Sequence, residues 1–98
     1  MAPAHDPTCP GEVLVENFLN PAGISTRRLA QTIAVPIQQI DEIVRGERAI
    51  TADTAIRLSR ALGTSDRFWL NLQNRYDLDV AFITNRETLD QIQALLSA

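Results

Sequence analysis

Ninety-eight residues, 45% hydrophobic and 21% charged with a net charge of −3, have the make-up of one small soluble globular domain and exclude a disordered chain. No stretch reaches the length of a membrane span and no signal-peptide core follows the N-terminus, so the reading is a cytoplasmic protein. A single cysteine, Cys9, and a single histidine, His5, exclude an intrachain disulfide and fall short of a zinc ligand set.

Residues 1–9 read as a flexible arm, because Pro3, Pro7 and Pro10 discourage helix; Cys9 is expected to be inert there. A helix over 10–19 follows, with Leu14 and Phe18 at i, i+4, and NPAG at 20–23 is turn chemistry. Ser25 is placed as the N-cap of a helix whose Leu29, Ala30 and Ile33 form an apolar stripe. Ala34 and Val35 leave room only for a tight corner. A second short helix opens at Pro36 in its first turn, buries Ile40, Ile43 and Val44, and stops at Gly46. Two short helices across so brief a corner are a helix-turn-helix, with Gln38, Gln39, Asp41, Glu42 and Arg45 facing outward. In that motif the second helix lies in the major groove with its N-terminal residues at the base edges.

Beyond it, Thr51 caps a helix that turns Ala55, Leu58, Ala61 and Leu62 inward and ends at Gly63. Ser65 caps a fifth, which carries Phe68, Trp69, Leu72, Tyr76 and Val80, with Phe68 and Trp69 read as core. Thr84-Asn85-Arg86-Glu87 fits a capping box, followed by Leu89, Ile92, Leu95 and Leu96 as the stripe of a last helix. Nothing reads as strand. The expectation is an all-α, five- to six-helix domain over 10–98 with C-terminal dimerisation helices, since a stripe so near the end of a small domain needs another surface to cover it.

Net acidity is unusual for a nucleic-acid binder, because phosphate contact supplies most non-specific affinity. Its distribution is uneven. Residues 1–24 carry −3 and residues 61–98 carry −2, while residues 25–60 carry six arginines against four acids, or +2. The positive charge therefore lies on the reading head, and no lysine occurs in the chain.

The run from Ile40 to Ala81, IDEIVRGERAITADTAIRLSRALGTSDRFWLNLQNRYDLDVA, together with PGEVLVENFL at 10–19, resembles the HigA/VapI group of bacterial antitoxins, helix-turn-helix proteins related to phage repressors. GERAITADTAIRL and FWLNLQNRYDL are its most specific parts. The resemblance implies a phage-repressor-like fold and a homodimer on the palindromic operator of its own toxin–antitoxin promoter. It also implies neutralisation of a HigB-like, RelE-type mRNA endonuclease toxin. Three positions depart from the family pattern: Cys9 stands for the usual histidine before Pro-Gly-Glu, Glu47 for a lysine after the glycine, and Gln39 for the arginine of many members. Glutamine pairs best with adenine and arginine with guanine, so the last of these shifts the preferred base.

The candidate DNA-contacting set is Thr26, Arg27, Pro36, Gln38, Gln39, Glu42, Arg45 and Arg48. Gln38 and Gln39 are assigned base contact, and Arg27, Arg45 and Arg48 phosphate contact. Thr51, Asp53 and Thr54 read as helix-capping chemistry first. An enzyme is disfavoured: Ser25, Ser59 and Ser65 have no histidine base nearby in sequence, the carboxylates are scattered, and no glycine-rich phosphate loop occurs. No cofactor is expected. The remaining alternative is a stand-alone regulator of the same fold without a toxin. For a basic toxin, the acids outside the reading head, Glu12, Glu16, Asp77, Asp79, Glu87 and Asp90, are the expected docking charges.

Overall fold

Residues 6–96 are described by a computed structural model; residues 1–5 of the expected arm, His5 among them, lie outside it. The first helix runs unbroken from α1 (Pro10–Val13) through a π-helical stretch (Leu14–Leu19) into α2 (Asn20–Ala22). Pro21 explains the change of pitch, since in an α-helix its ring would crowd the carbonyl of Asn17 four residues back, and a wider turn relieves that clash. The stripe shifts accordingly. Leu14 and Leu19, five apart, are the fully buried pair, while Phe18 is half-buried. The expected turn at 20–23 shrinks to Gly23 alone, left-handed at φ 67, with Ile24 N–H donating to the Leu19 carbonyl at 2.9 Å and Gly23 N–H to that of Asn20 at 3.1 Å.

The helix-turn-helix consists of α3 (Thr26–Ile33) and α4 (Ile37–Val44). Ser25 Oγ accepts from the Arg28 N–H at 3.0 Å, as its position predicts. Pro36 is not in the first turn of α4 but is its N-cap, extended at ψ 143 and without a side-chain cap bond. The corner is made by Ala34 at φ 58, a left-handed residue that closes α3 through Val35 N–H on the Ala30 carbonyl at 3.0 Å. Alanine there costs about 1 kcal/mol that glycine does not.

Next come α5 (Ala52–Leu62), α6 (Asp66–Thr84) and α7 (Arg86–Asp90). Thr51 and Ser65 cap α5 and α6 as expected. Ala55 and Leu58 are fully buried and Leu62 half-buried, but Ala61 is exposed, so the inward stripe of α5 is narrower than its sequence pattern. The capping box at Thr84 does not form. Thr84 is the last residue of α6 instead, and Asn85 precedes α7 without a side-chain bond. The last helix is correspondingly short, and Ile92, Leu95 and Leu96 lie beyond it, exposed. No strand occurs among the described residues.

Trp69, with no exposed surface, anchors the core. Its ring stacks edge-on against Phe68 at 5.0 Å and tilts against Phe18 at 5.2 Å, and its Nε1–H donates to Thr64 Oγ1 at 2.8 Å. Leu14, Leu29, Ile40, Ile43 and Leu58 belong to the same buried cluster. The 19-residue α6 outruns this core, which gives a radius of gyration of 16.1 Å and extents of 49 × 23 × 22 Å. A compact chain of this length would have about 13 Å.

At Gly11 the first helix meets α4 backbone to backbone. A Cβ there would lie 2.7 Å from Val44 Cα and collide with the Ile43 carbonyl. Gly11→Ala is expected to lower the melting temperature by roughly 10 °C or more, since the whole first helix must retreat. Ala34→Gly should raise it by a few degrees as the left-handed strain disappears. Thermal melts followed by far-UV circular dichroism check both; an unchanged melt for Gly11→Ala would refute the close approach.

Candidate nucleic-acid interface

The proposed reading head is built from the start of α3, the start of α4 and the corner that follows α4. Thr26 is half-buried in the first turn of α3, and Arg27 and Arg28 beside it are exposed, with no ion pair among the described residues. At the start of α4, Pro36 and Gln38 are exposed, and Gln38 makes no side-chain hydrogen bond among the described residues. Gln39 is half-buried. Its Nε2 donates to Thr54 Oγ1 at 3.2 Å, and Thr54, itself 2% exposed, is bonded in turn to Thr51. An amide carries two N–H groups and a carbonyl, so this bond occupies one donor and leaves the other and Oε1 available. The capping threonines of α5 thus also hold the start of α4, which their sequence pattern did not reveal.

Arg45, Glu42 and Arg48 come together differently from their assigned roles. Arg45 is the C-cap of α4, and Gly46, left-handed at φ 77, turns the chain back so that Glu47 N–H donates to the Glu42 carbonyl at 2.8 Å. Arg45 Nε then lies 2.7 Å from Glu47 Oε2, and Arg48 binds Glu42 Oε1 through Nη2 at 2.8 Å and Nε at 2.9 Å. The hydrogen bond from Arg45 to Glu47, and then that carboxylate's charge, hold the Arg45 guanidinium above its ordinary value. Two of the three arginines assigned to phosphate are therefore ion-paired within the chain.

Three residues hold positioning roles that the sequence reading did not assign them. Arg57, paired with Asp53 at 2.9 Å, donates Nη1 to the Ile33 carbonyl at 2.7 Å and so caps the end of α3 from α5. Gln73, 7% exposed, accepts the Ile50 N–H at 2.8 Å and donates to Asp77 Oδ1 at 2.9 Å, tying the corner after α4 to α6. A polar residue four positions after Trp69, on the same buried face, is the one signal that points to it. Cys9 is not in a free arm: it is the half-buried N-cap of α1, its Sγ 3.9 Å from the Ile43 carbonyl at the end of α4. A cavity of about 180 Å³ beside it is lined by Gly11, Gly46, Gln73 and Tyr76.

Among the expected docking acids, Asp79 is misplaced. It is 8% exposed and faces Arg75 at 3.5 Å, and Asp77 is engaged by Gln73, whereas Glu12, Glu16, Glu87 and Asp90 are exposed. No group of His, Cys, Asp or Glu among the described residues is arranged to hold a metal, and no helix there is long and apolar enough to cross a membrane.

Residues 15–69, which hold both helices of the motif, match the family model described as Helix-turn-helix. Over 72 residues the chain is 50% identical to virulence-associated protein I of Dichelobacter nodosus, covering 74% of this chain and 67% of that protein. It is 39% identical over 72 residues to Antitoxin HigA-1 of Vibrio cholerae, covering 74% and 68%. The solved structure of Pseudomonas aeruginosa antitoxin HigA with the higBA promoter is similar over 92% of this chain and 99% of that one, at 42% identity and a TM-score of 0.87.

Gln73→Met keeps the volume but strands the Ile50 N–H in a buried position, at an expected cost of about 1–3 kcal/mol in denaturant unfolding. Gln73→Glu restores the acceptor and is expected to recover part of that loss. A Gln73→Met variant as stable as the parent would remove Gln73 as the tie between the corner and α6.

Proposed function

This chain belongs to the helix-turn-helix family of HigA- and VapI-type antitoxins, and on that premise we propose that it is an antitoxin and transcriptional autorepressor, a binding protein rather than a catalyst. Acting as a homodimer, it binds a palindromic operator in its own promoter with α4 in the major groove. The observation that carries this reading is the likeness of the whole described fold to an antitoxin solved with its promoter. The local geometry agrees. The start of α4 presents exposed Gln38 and the tethered Gln39, and the start of α3 presents exposed Arg27. Gln38 and Gln39 carry sequence preference and Arg27 carries register and affinity. Thr26 and Pro36 shape the entry to the groove, and Glu42, Arg45 and Arg48 flank it.

Dimerisation falls to the C-terminal arm. Leu78, Ile83, Ile92, Leu95 and Leu96 are 47% to 96% exposed on a projection that no other described residue covers. A second copy of the same arm satisfies such a surface, and the two recognition helices then stand one DNA turn apart, roughly 34–36 Å. The toxin is a basic, RelE-like HigB protein. It docks on the exposed acids of the first helix, Glu12 and Glu16, or of α7, Glu87 and Asp90, where complementary charge speeds encounter, and leaves α4 free on DNA.

DNase footprinting on the promoter region of the gene, with copurification of the neighbouring open reading frame's product, tests both activities together. Gln38→Ala should cost about 1–3 kcal/mol on the protected site and much less on random duplex, whereas Arg27→Ala should weaken both alike and flatten the salt dependence. Equal losses on both DNAs for the glutamine variant would overturn its role as a reader. Truncation after Ala81 should shift the protein toward monomer in light scattering while keeping most of its helix content. A dimer that survives the truncation would move the interface elsewhere.

A further inference from the structure

The chain carries nine arginines, yet the two at the corner after α4 are already occupied. The occupation is built by the fold. Glu42 and Arg48 are six positions apart, outside helical spacing, and they meet only because left-handed Gly46 reverses the chain. The same reversal sets Glu47 beside Arg45 at 2.7 Å. Arg27 and Arg28, at the start of α3, have no such acid among the described residues. A guanidinium held by a carboxylate cannot release a phosphate counterion without first exchanging partners, and the carboxylate left behind repels the backbone.

We propose that Glu42 and Glu47 are specificity-determining residues that compete with DNA phosphate for Arg48 and Arg45. They suppress sequence-independent binding, so that discrimination rests on the α4 side chains at the base edges. This deepens the DNA-binding reading above and rests on it. Phosphate contacts add equally to every sequence, whereas base contacts add only to the right one. Withholding two arginines therefore lowers affinity for random DNA and widens the ratio between operator and background. It also gives a shallower salt dependence than the arginine count suggests.

The full-length Glu42→Gln/Glu47→Gln variant separates this from simple charge when set beside Glu16→Gln/Glu87→Gln, which makes the same change in net charge away from the corner. Binding of a 30-base-pair random-sequence duplex is measured by fluorescence anisotropy across a series of salt concentrations. The corner variant is expected to bind roughly fivefold or more tightly than the parent, with a log–log salt slope steeper by about one for each arginine released, while the distant variant changes little. Equal gains from both variants would show a net-charge effect and overturn the competition. An unchanged affinity and slope for the corner variant, with the parent binding normally, would overturn it and leave the DNA reading intact. If no form binds the random duplex even at low salt, the competition fails, whereas the DNA-binding reading stands or falls on the promoter footprint.

Discussion

The end of α4 is set by Gly11 lying against the backbone of Ile43 and Val44. A side chain at that point would hold the first helix off α4, and with it Cys9, the cavity beside Gly46 and the covering of Leu14 would all change. The close approach brings two backbones together at the end of α4, so the helix is fixed there by steric exclusion rather than by a polar bond. Its other end is fixed by chemistry instead, through the chain from Gln39 to Thr54 to Thr51. An eight-residue helix has little intrinsic stability in water. α4 stays formed because packing and hydrogen bonds grip it at both ends, and that grip leaves one face of its first turn open.

The grip extends beyond α4. Arg57 closes α3 from across the corner, and Gln73 closes the segment after α4 from α6. In both cases a long polar side chain satisfies a backbone group that its own element leaves unpaired, which is how irregular backbone between short helices avoids the cost of burial without a partner. The outcome is a head whose corner after α3 is tied to α5 and whose segment after α4 is tied to α6. A shift of α6 on dimerisation or partner binding would reach Ile50 directly through Gln73.

How much of this was legible in the sequence follows from the range of the interactions. Caps at Ser25, Thr51 and Ser65, the breaks at Gly46 and Gly63, and the buried stripe of Leu29, Ile33, Ile40 and Ile43 are encoded within a few positions, and they appear where local chemistry puts them. Contacts between residues far apart in the chain left no such mark. Gly11 on Val44, Gln39 on Thr54 and Gln73 on Ile50 each need the tertiary arrangement before their purpose exists. The misread elements have a related origin. Pro21 acted on the turn before it and prolonged the helix as a π segment, and α6 ran on through Thr84, so the hydroxyl that fits a capping box was spent inside a helix.

An acidic chain can serve a helix-turn-helix because charge acts through position more than through total. At 0.15 M salt, exposed charges farther apart than roughly 8 Å scarcely sense one another, so Glu87 and Asp90 on α7 do little to the potential at Gln38. Glu42 and Glu47 differ because they lie on the head itself and bind its arginines. In the competition proposed above they lower the general attraction to DNA at this corner, while Arg27 and Arg28, which have no ion pair among the described residues, sit at the start of α3. On the proposed reading, what α4 offers the groove is an amide surface, Gln38 and Gln39, whose hydrogen bonds gain only when the opposing base edge is complementary. An interface made this way gives up general affinity for discrimination, and that is the balance required of a protein that must find a single promoter among a genome of phosphate.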